Sequence, residues 1–483
     1  MAEASKGKVI ANLLWRFAES FGAQLVSFVV SILLARILDP ETFGVIALVL
    51  VVTNILGVFV DGGFSSALVQ KKDADDLDFS SVFWVNLVIC LVVYAILLVT
   101  APLIAAYYDD ATLTPVIRVL GLVLIISGFG AVQFSYISRK LVFRKSFVSR
   151  MAGVALSAAV GIWMAANGYG VWALVGQQLV AALVGTLVIW FTSGWKPSFA
   201  FSWERVKSLF DYGWKLLVSS LIHTLYTNLR PLIVGKWYSK DDLGLFDRGN
   251  RFPSVIVLNV SNAIASVMFP VMSDVQDDVA RVRSITRRSI SVSSYIIWPL
   301  MMGLAGTAPV LVPCLLGEQW VGCVPYLIVF CFANGLDPMQ TSNLAAMKAL
   351  GRSDIFFKLE LIKKAIAIAI VFIAAPFGVM PLAISTVVYS LIATFINAWP
   401  NRKLLNYPYL QQVRDVAPSF LLSLVMGIIV YFIVIPGLPL WLNLIIQIIA
   451  GVAIYVGASV ALKLEDWRYL KETAAEILAK KGR

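Results

Sequence analysis

Four arginines stand inside long apolar stretches of this sequence, where a charged side chain is costly. They are Arg16, Arg230, Arg248 and Arg251. A charge at the centre of a membrane costs about 2.5–3.5 kcal/mol on insertion scales, so such a residue normally faces a cavity or a partner. A guanidinium holds phosphate oxygens through two parallel hydrogen bonds. The four arginines are therefore predicted to line a cationic cavity that binds an anionic, phosphate-bearing ligand.

Acidic residues near two of these arginines leave an alternative open. Arg16 and Glu19 have the i, i+3 spacing of an ion pair along one helix. Asp247 and Arg251 have the equally suitable i, i+4 spacing. These arginines could therefore belong to a structural network of ion pairs rather than to a ligand site.

Two further polar residues are candidates for ion coupling. His223 lies seven residues before Arg230, so both share one face of a helix. It could carry protons, because imidazole titrates near neutral pH, or it could form a hydrogen bond between packed helices. Asp61 precedes two glycines that suggest a broken helix, and it is expected to cap that helix end, with ion coupling as the weaker role.

The elements that position these residues are apolar segments, which predict an all-α, multi-pass membrane protein. Of the 483 residues, 59% are hydrophobic and only 14% are charged. Fourteen segments approach or exceed the roughly 20 residues that cross a bilayer as a helix. They cover residues 9–38, 43–66, 81–104, 115–137, 147–166, 171–193, 212–236, 243–272, 289–316, 326–347, 359–375, 381–399, 415–435 and 440–462.

Positive charge falls on every second loop between these segments. Nearly all of the loop Lys and Arg residues lie on one class of loops, which includes both chain ends, and the other class carries only Lys240. The positive-inside rule therefore places both termini in the cytoplasm. The expected location is the cytoplasmic (inner) membrane. Since these loops account for the net charge of +11, the expected counter-surface is anionic lipid and not nucleic acid.

Polar and glycine landmarks recur about 200 residues apart and predict an internal repeat. The landmarks are Arg36, Glu41 and Gly44 in the first copy and Lys236, Asp241 and Gly244 in the second. Two parallel repeats of six helices facing each other would enclose a central cleft, as in alternating-access transporters. The predicted parts are an N-terminal lobe at 1–211, a C-terminal lobe at 212–400, and an appended hairpin with a cytoplasmic tail at 401–483.

Several kinds of chemistry find no support in the sequence. It has no phosphate-binding Walker loop and no nucleophile elbow, so no catalytic residue is assigned and the protein is not expected to be an enzyme. With one histidine, neither a metal site nor a cofactor is expected. Asp109 and Asp110 are interpreted as solvated surface charge. Cys314 and Cys323 flank one external loop; they could pair there, although apolar packing is the favoured role.

Five sequence stretches together resemble the polysaccharide transporters, the Wzx-like O-antigen and exopolysaccharide flippases of the multidrug/oligosaccharidyl-lipid/polysaccharide (MOP) exporter superfamily. The stretches are residues 31–44, 61–72, 170–175, 269–278 and 351–354. The first, SILLARILDPETFG, resembles the first-hairpin signature of that family, and the second, DGGFSSALVQKK, resembles the end of its second helix. The resemblance covers nearly the whole chain.

The resemblance implies a flippase that moves undecaprenyl-pyrophosphate-linked oligosaccharides, the repeat units of lipopolysaccharide, capsule or exopolysaccharide, across the membrane. Polysaccharide polymerases and glycosyltransferases would be its partners, and the protein would be a monomer. A cation-coupled multidrug or metabolite exporter of the same fold is the alternative, but it predicts an aromatic or acidic cavity. A membrane enzyme acting on the same substrates would need external catalytic carboxylates or a histidine, which the sequence lacks.

Overall fold

The computed structural model describes the backbone of residues 6–481 and the side chains of residues 22–472 and 475. Within that range the chain forms helices joined by short loops and contains no strand, which confirms the all-α class. The helices are α1 (Lys6–Ile37), α2 (Pro40–Asp61), α3 (Phe64–Gln70), α4 (Asp76–Tyr107), α5 (Leu113–Leu120), α6 (Leu122–Lys140), α7 (Phe143–Ala166), α8 (Val171–Thr192), α9 (Trp203–Trp237), α10 (Lys240–Asp274), α11 (Val279–Leu315), α12 (Val324–Gly335), α13 (Asp337–Ala349), α14 (Ser353–Ala374), α15 (Val379–Ala398), α16 (Asn401–Leu404), α17 (Tyr409–Phe432), α18 (Leu440–Ala461) and α19 (Glu465–Lys481). Short 3-10 helices occupy Glu318–Cys323 and Ala375–Phe377.

Eleven helical segments of the described chain are long and apolar enough to cross a membrane. The predicted multi-pass architecture is therefore confirmed, but the count of fourteen spans is not. The spans predicted at 212–236 and 359–375 fall within α9 and α14, which are helical but carry several charged side chains. In α1, the described apolar segment covers only Gly22–Ile37.

The chain divides into two compact units, residues 1–244 and residues 245–483. In unit 1, α9 packs against α2, α3 and α4, although the sequence repeat assigns α9 to the second lobe. In unit 2, α17 packs along α11, and a Cβ on Gly306 would lie 2.4 Å from the carbonyl oxygen of Gly427. The division into lobes at residues 211 and 400 stays a prediction.

The repeated hairpin has the same helix boundaries in both copies. α1 and α9 end at Ile37 and Trp237, and the next helices begin at Pro40 and Lys240. In the first copy the Asp39 carboxylate accepts a hydrogen bond from the amide of Thr42 at 2.8 Å. In the second, the hydroxyl of Ser239 accepts one from the amide of Asp242 at 3.0 Å. Equivalent N-caps thus start equivalent helices.

The glycines of the repeat bring the first turns of α2 and α10 into backbone contact within unit 1. A Cβ on Gly44 would lie 1.8 Å from the carbonyl oxygen of Lys240. Reciprocally, a Cβ on Gly244 would lie 2.0 Å from the carbonyl oxygen of Pro40. The two contacts are equivalent, because Pro40 and Lys240 occupy the same position in the two copies of the repeat. Only glycine permits this reciprocal approach.

Residues 107–112 and 236–240 form the end of unit 1 that the basic loops predict to be external, here called the outer end. This end shows that the prediction for Asp110 is wrong. Its side chain is buried at 8% exposure, and its Oδ2 lies 2.6 Å from Lys240 Nζ. Its Oδ1 accepts hydrogen bonds from the amide and hydroxyl of Thr112 at 2.9 and 2.6 Å. Burial alone would raise the pKa of Asp110, but the bonds from Lys240 and Thr112 outweigh it and hold the pKa below its ordinary value. Asp109, which is exposed as predicted, pairs with Lys236 at 3.1 Å.

Residues 68–78, 139 and 205 form the end of unit 1 that is predicted to be cytoplasmic, here called the inner end. It is built around one fully buried carboxylate, that of Asp78. Asp78 accepts hydrogen bonds from Lys71 Nζ at 2.7 and 2.8 Å, and Arg205 approaches it at 3.5 Å. Asp78 and Asp75 also form a reciprocal capping box at the start of α4. Arg139 donates to the backbone carbonyls of residues 68, 71 and 72. Several basic residues of the predicted cytoplasmic loops thus have structural roles.

Candidate functional site

The candidate residues on α10 lie on two different faces of the helix. Asp247 and Arg251, one helical turn apart, are both exposed. Of the ion pairs between described side chains, none joins these two residues. Arg248 lies on the other face and is only 4% exposed. The three consecutive charges therefore have different environments, with Arg251 open to a ligand and Arg248 enclosed.

Arg248 is enclosed by aromatic residues of unit 2. Its guanidinium carbon lies 5.3 Å from the centre of the Trp320 ring, which is itself fully buried. A cation over an indole face is attracted by the ring quadrupole, more strongly where water is excluded. The next residue, Gly249, lets α10 approach α12 closely, because a Cβ on Gly249 would lie 2.8 Å from the Cβ of Tyr326. This environment suits a side chain that positions the helix.

On α9, several polar residues lie within the two helical turns before Arg230. Arg230 is partly buried and precedes Pro231, whose missing amide removes one hydrogen bond from the helix. Asn228, a residue that sequence reasoning missed, donates to the carbonyl of Thr224 at 2.8 Å. His223, two turns before Arg230, is exposed. Within unit 1 this stretch of α9 offers a cation, an imidazole and an amide in the middle of a predicted span.

The prediction that Asp61 caps a helix end is wrong. α2 does end at Asp61, and the two glycines that follow adopt left-handed backbones with φ of 56° and 73°. The N-cap of α3 is Gly63, without a side-chain hydrogen bond, and Asp61 is exposed. Arg16 and Glu19 lie outside the residues whose side chains the structure describes.

Asp337 is an intramembrane carboxylate that sequence reasoning overlooked. It lies where α12 ends and α13 begins, within the apolar segment Glu318–Ala349. Its Oδ2 accepts hydrogen bonds from the hydroxyls of Ser261 on α10 and Thr341, the latter at 3.3 Å. It is the only charged residue in the span predicted at 326–347, and that signal could have identified it.

Metal-binding groups and disulfides were both considered in the sequence, and the described residues contain neither. No group of three or more His, Cys, Asp or Glu side chains in that part of the chain is arranged to hold a metal ion. No disulfide joins Cys314 to Cys323.

A family model described as "Polysaccharide biosynthesis protein" matches residues 33–325. This chain belongs to that family. The succinoglycan biosynthesis transport protein ExoT of Rhizobium meliloti is 27% identical over 447 residues, which cover 92% of this chain and 90% of that protein. The lipopolysaccharide biosynthesis protein WzxC of Escherichia coli is 24% identical over 399 residues, covering 81% and 80%. The resemblance to polysaccharide transporters is thus confirmed.

Solved structures of the MOP superfamily share the fold of this family member. The lipid II flippase MurJ in an inward closed conformation superposes with a TM-score of 0.76 at 15% sequence identity, covering 93% of this chain and 99% of MurJ. An inward-facing multidrug resistance MATE family transporter gives a TM-score of 0.58 at 15% identity, covering 82% and 95%. These likenesses show that the chain shares the polytopic helical fold of both structures.

Proposed function

We propose that this protein is a flippase that moves undecaprenyl-pyrophosphate-linked oligosaccharides from the cytoplasmic to the periplasmic leaflet by alternating access. The observation that carries the proposal is the match across 92% of the chain to ExoT, a transport protein of succinoglycan biosynthesis. The likeness to the fold of MurJ supports it, since MurJ is a lipid II flippase. The proposal assigns the protein to transport and not to catalysis.

Charge supports the location and orientation within this proposal. The basic loops and the basic ends of the chain would face the cytoplasm, so the protein would reside in the inner membrane with both termini inside. Glycosyltransferases would supply its cargo, and polysaccharide polymerases would consume it. The protein would act as a monomer.

Within the site we propose different roles for the cations. Arg251 in unit 2 would contact the diphosphate of the cargo, because its side chain is exposed. Arg230 in unit 1, which is partly accessible, is a separate candidate for the same kind of contact. Arg248 would hold α10 against Trp320. Arg16 as a further cation that contacts the cargo, and Glu19 as a polar or ion-coupling group, remain proposals from the sequence. His223, Asp247 and Asp61 are the candidates for ion coupling, since each is exposed.

A cation-coupled exporter of drugs or metabolites is the second candidate. The observation that favours it is the fold match to the MATE transporter. It would move organic cations, for which arginines in the cavity are unfavourable.

The experiment is translocation of a fluorescent undecaprenyl-pyrophosphate oligosaccharide in proteoliposomes, followed by chemical quenching of the outer leaflet. Arg230→Gln and Arg251→Gln are each expected to slow translocation by about tenfold, because one charge-assisted contact contributes about 1.5 kcal/mol or more. Arg118→Gln and Arg281→Gln, matched exposed positions in units 1 and 2, are expected to change it less than about twofold. Equal loss in all four variants would overturn the cation assignment.

A further inference from the structure

A polar cavity of about 450 Å³ in unit 2 lies apart from the candidate residues on α9 and α10. It opens between α11, α17 and the turn that joins α18 to α19. Four of its lining side chains are basic, namely Arg287, Arg288, Arg414 and Lys463. Three serine hydroxyls, of residues 284, 291 and 419, complete the polar wall. Guanidinium, ammonium and hydroxyl groups are the donors that bind phosphate in proteins.

The acidic residues of the cavity are largely occupied by other side chains. Asp415 forms a two-point pair with Arg287, with nitrogen–oxygen distances of 2.7 and 2.8 Å. It also accepts the hydroxyl of Tyr407 at 2.7 Å. Both oxygens of Asp466 accept the hydroxyl of Ser291 at 2.7 Å. Burial also raises the pKa of Asp466 above its ordinary value.

The remaining cations are directed to the cavity with fewer competing bonds. Arg288 stacks over the ring of Tyr469 at 4.5 Å, a contact that leaves its N–H groups available as donors. Arg414 and Lys463 are exposed, and neither forms an ion pair with a described side chain. Arg288, Arg414 and Lys463 therefore outnumber Glu465 and Asp466, the two acidic side chains of the cavity that form no ion pair with a described side chain, and the cavity favours an anion.

Lys463 has a backbone conformation that glycine adopts more easily. Its φ is 51°, in the left-handed region directly after α18. A residue with a Cβ is strained there, whereas glycine is not. A lysine at this position keeps a cation at the rim of the cavity despite that strain.

The cavity lies at the end of the span Leu440–Ala461, on the side that the basic loops predict to be cytoplasmic. The phosphate groups of inner-leaflet lipids lie at this level, and basic pockets between helices on this side bind anionic headgroups. We propose that this cavity is a binding site for the phosphate group of an anionic lipid headgroup, separate from the transported cargo. Soluble phosphate is the other source of the same chemistry, and the experiment separates the two.

Binding is measured by native mass spectrometry on the purified full chain in neutral detergent. The probes are phosphatidylglycerol, diacylglycerol with the same acyl chains, and inorganic phosphate. The double variant Arg414→Gln/Lys463→Gln is expected to bind phosphatidylglycerol roughly tenfold to thirtyfold more weakly than wild type, because each basic residue near the surface contributes about a fivefold factor. The matched control Arg402→Gln/Lys403→Gln removes two exposed charges from nearby α16 and is expected to bind as wild type does.

The variant Lys463→Gly separates binding from folding. It relieves the left-handed strain, so its melting temperature is expected to rise while its affinity for phosphatidylglycerol falls by roughly fivefold. Binding of diacylglycerol equal to that of phosphatidylglycerol, or equal losses in both double variants, would overturn the proposal. Inorganic phosphate that binds as tightly as phosphatidylglycerol would overturn the lipid source and reassign the site to soluble phosphate. Because no transport is measured, failure here leaves the proposed flippase function intact.

Discussion

The two ends of unit 1 each contain a buried carboxylate, but the two carboxylates differ in the number of cations beside them. At the inner end, the fully buried Asp78 bonds to Lys71 and also lies beside Arg205 of α9. At the outer end, Asp110 has one cation, Lys240 at the start of α10. The inner carboxylate retains a cation if either one is lost, whereas the outer carboxylate does not.

This difference indicates which junction opens more easily. An alternating-access transporter must break the contacts at one end before it opens there. The outer end contains the buried pair Asp110–Lys240 and the exposed pair Asp109–Lys236. The backbone contact at the repeat glycines lies beside it. We therefore expect the outer junction to separate at a lower cost than the inner one.

The largest expected effect is at the inner end. Asp78→Ala removes a buried carboxylate and leaves Lys71 without its principal acceptor, so the free energy of unfolding is expected to fall by about 3 kcal/mol. Denaturation of the purified protein in detergent measures the change. Asp73→Ala removes an exposed carboxylate of the same loop and is the control. Equal losses in the two variants would show that Asp78 is not the centre of this junction.

The repeat glycines come next. Gly44→Ala and Gly244→Ala each place a methyl group within about 2 Å of a backbone carbonyl, and overpacking of this kind is expected to lower stability by about 1–3 kcal/mol. The two losses should be similar because the glycines occupy equivalent positions. Gly57→Ala in the middle of α2 meets no atom within 4 Å and is expected to be neutral or stabilising. Thermal unfolding of the three variants compares them, and a neutral Gly44→Ala would refute the close approach.

The smallest expected effects are at the outer ion pairs. Asp110→Asn is expected to lower stability by about 1–2 kcal/mol, and Asp109→Asn, at an exposed pair, by less than about 0.5 kcal/mol.

These effects also predict a pH dependence for the outer end. The pKa of Asp110 is lowered in the folded state, so its contribution is complete above the unfolded pKa of about 3.9 and is lost as the pH falls through the folded pKa. The difference in melting temperature between wild type and Asp110→Asn should therefore persist from neutral pH to about pH 5 and shrink below about pH 4. A difference that stays constant into acid would contradict the assigned ion pair.

Local features of this protein could be predicted from its sequence, because helix boundaries depend on nearby residues. The hairpin and its copy show this, with Pro40 and Lys240 at equivalent helix starts and Gly44 and Gly244 at equivalent crossings. Hydrophobic segments likewise located the helices, although charged residues made α9 ambiguous as a span.

Contacts between distant residues could not be predicted in the same way. Asp110 pairs with Lys240, 130 residues away, and spacing along the chain gives no sign of that partner. The adjacent charges Asp247 and Arg248 differ in burial because they lie on different faces of α10. Asp337 could have been noticed as an isolated charge, but its bond to Ser261 depends on how two helices pack.

The most direct test of the central claim compares three cargoes in proteoliposomes that contain the wild-type protein. The cargoes are an undecaprenyl-pyrophosphate oligosaccharide, the same lipid without sugar, and an organic cation, with protein-free liposomes as the baseline. We expect rapid translocation of the lipid-linked oligosaccharide and no movement of the organic cation above baseline. Gradient-driven movement of the organic cation, with the lipid-linked oligosaccharide remaining in its original leaflet, would contradict the account and identify a drug exporter.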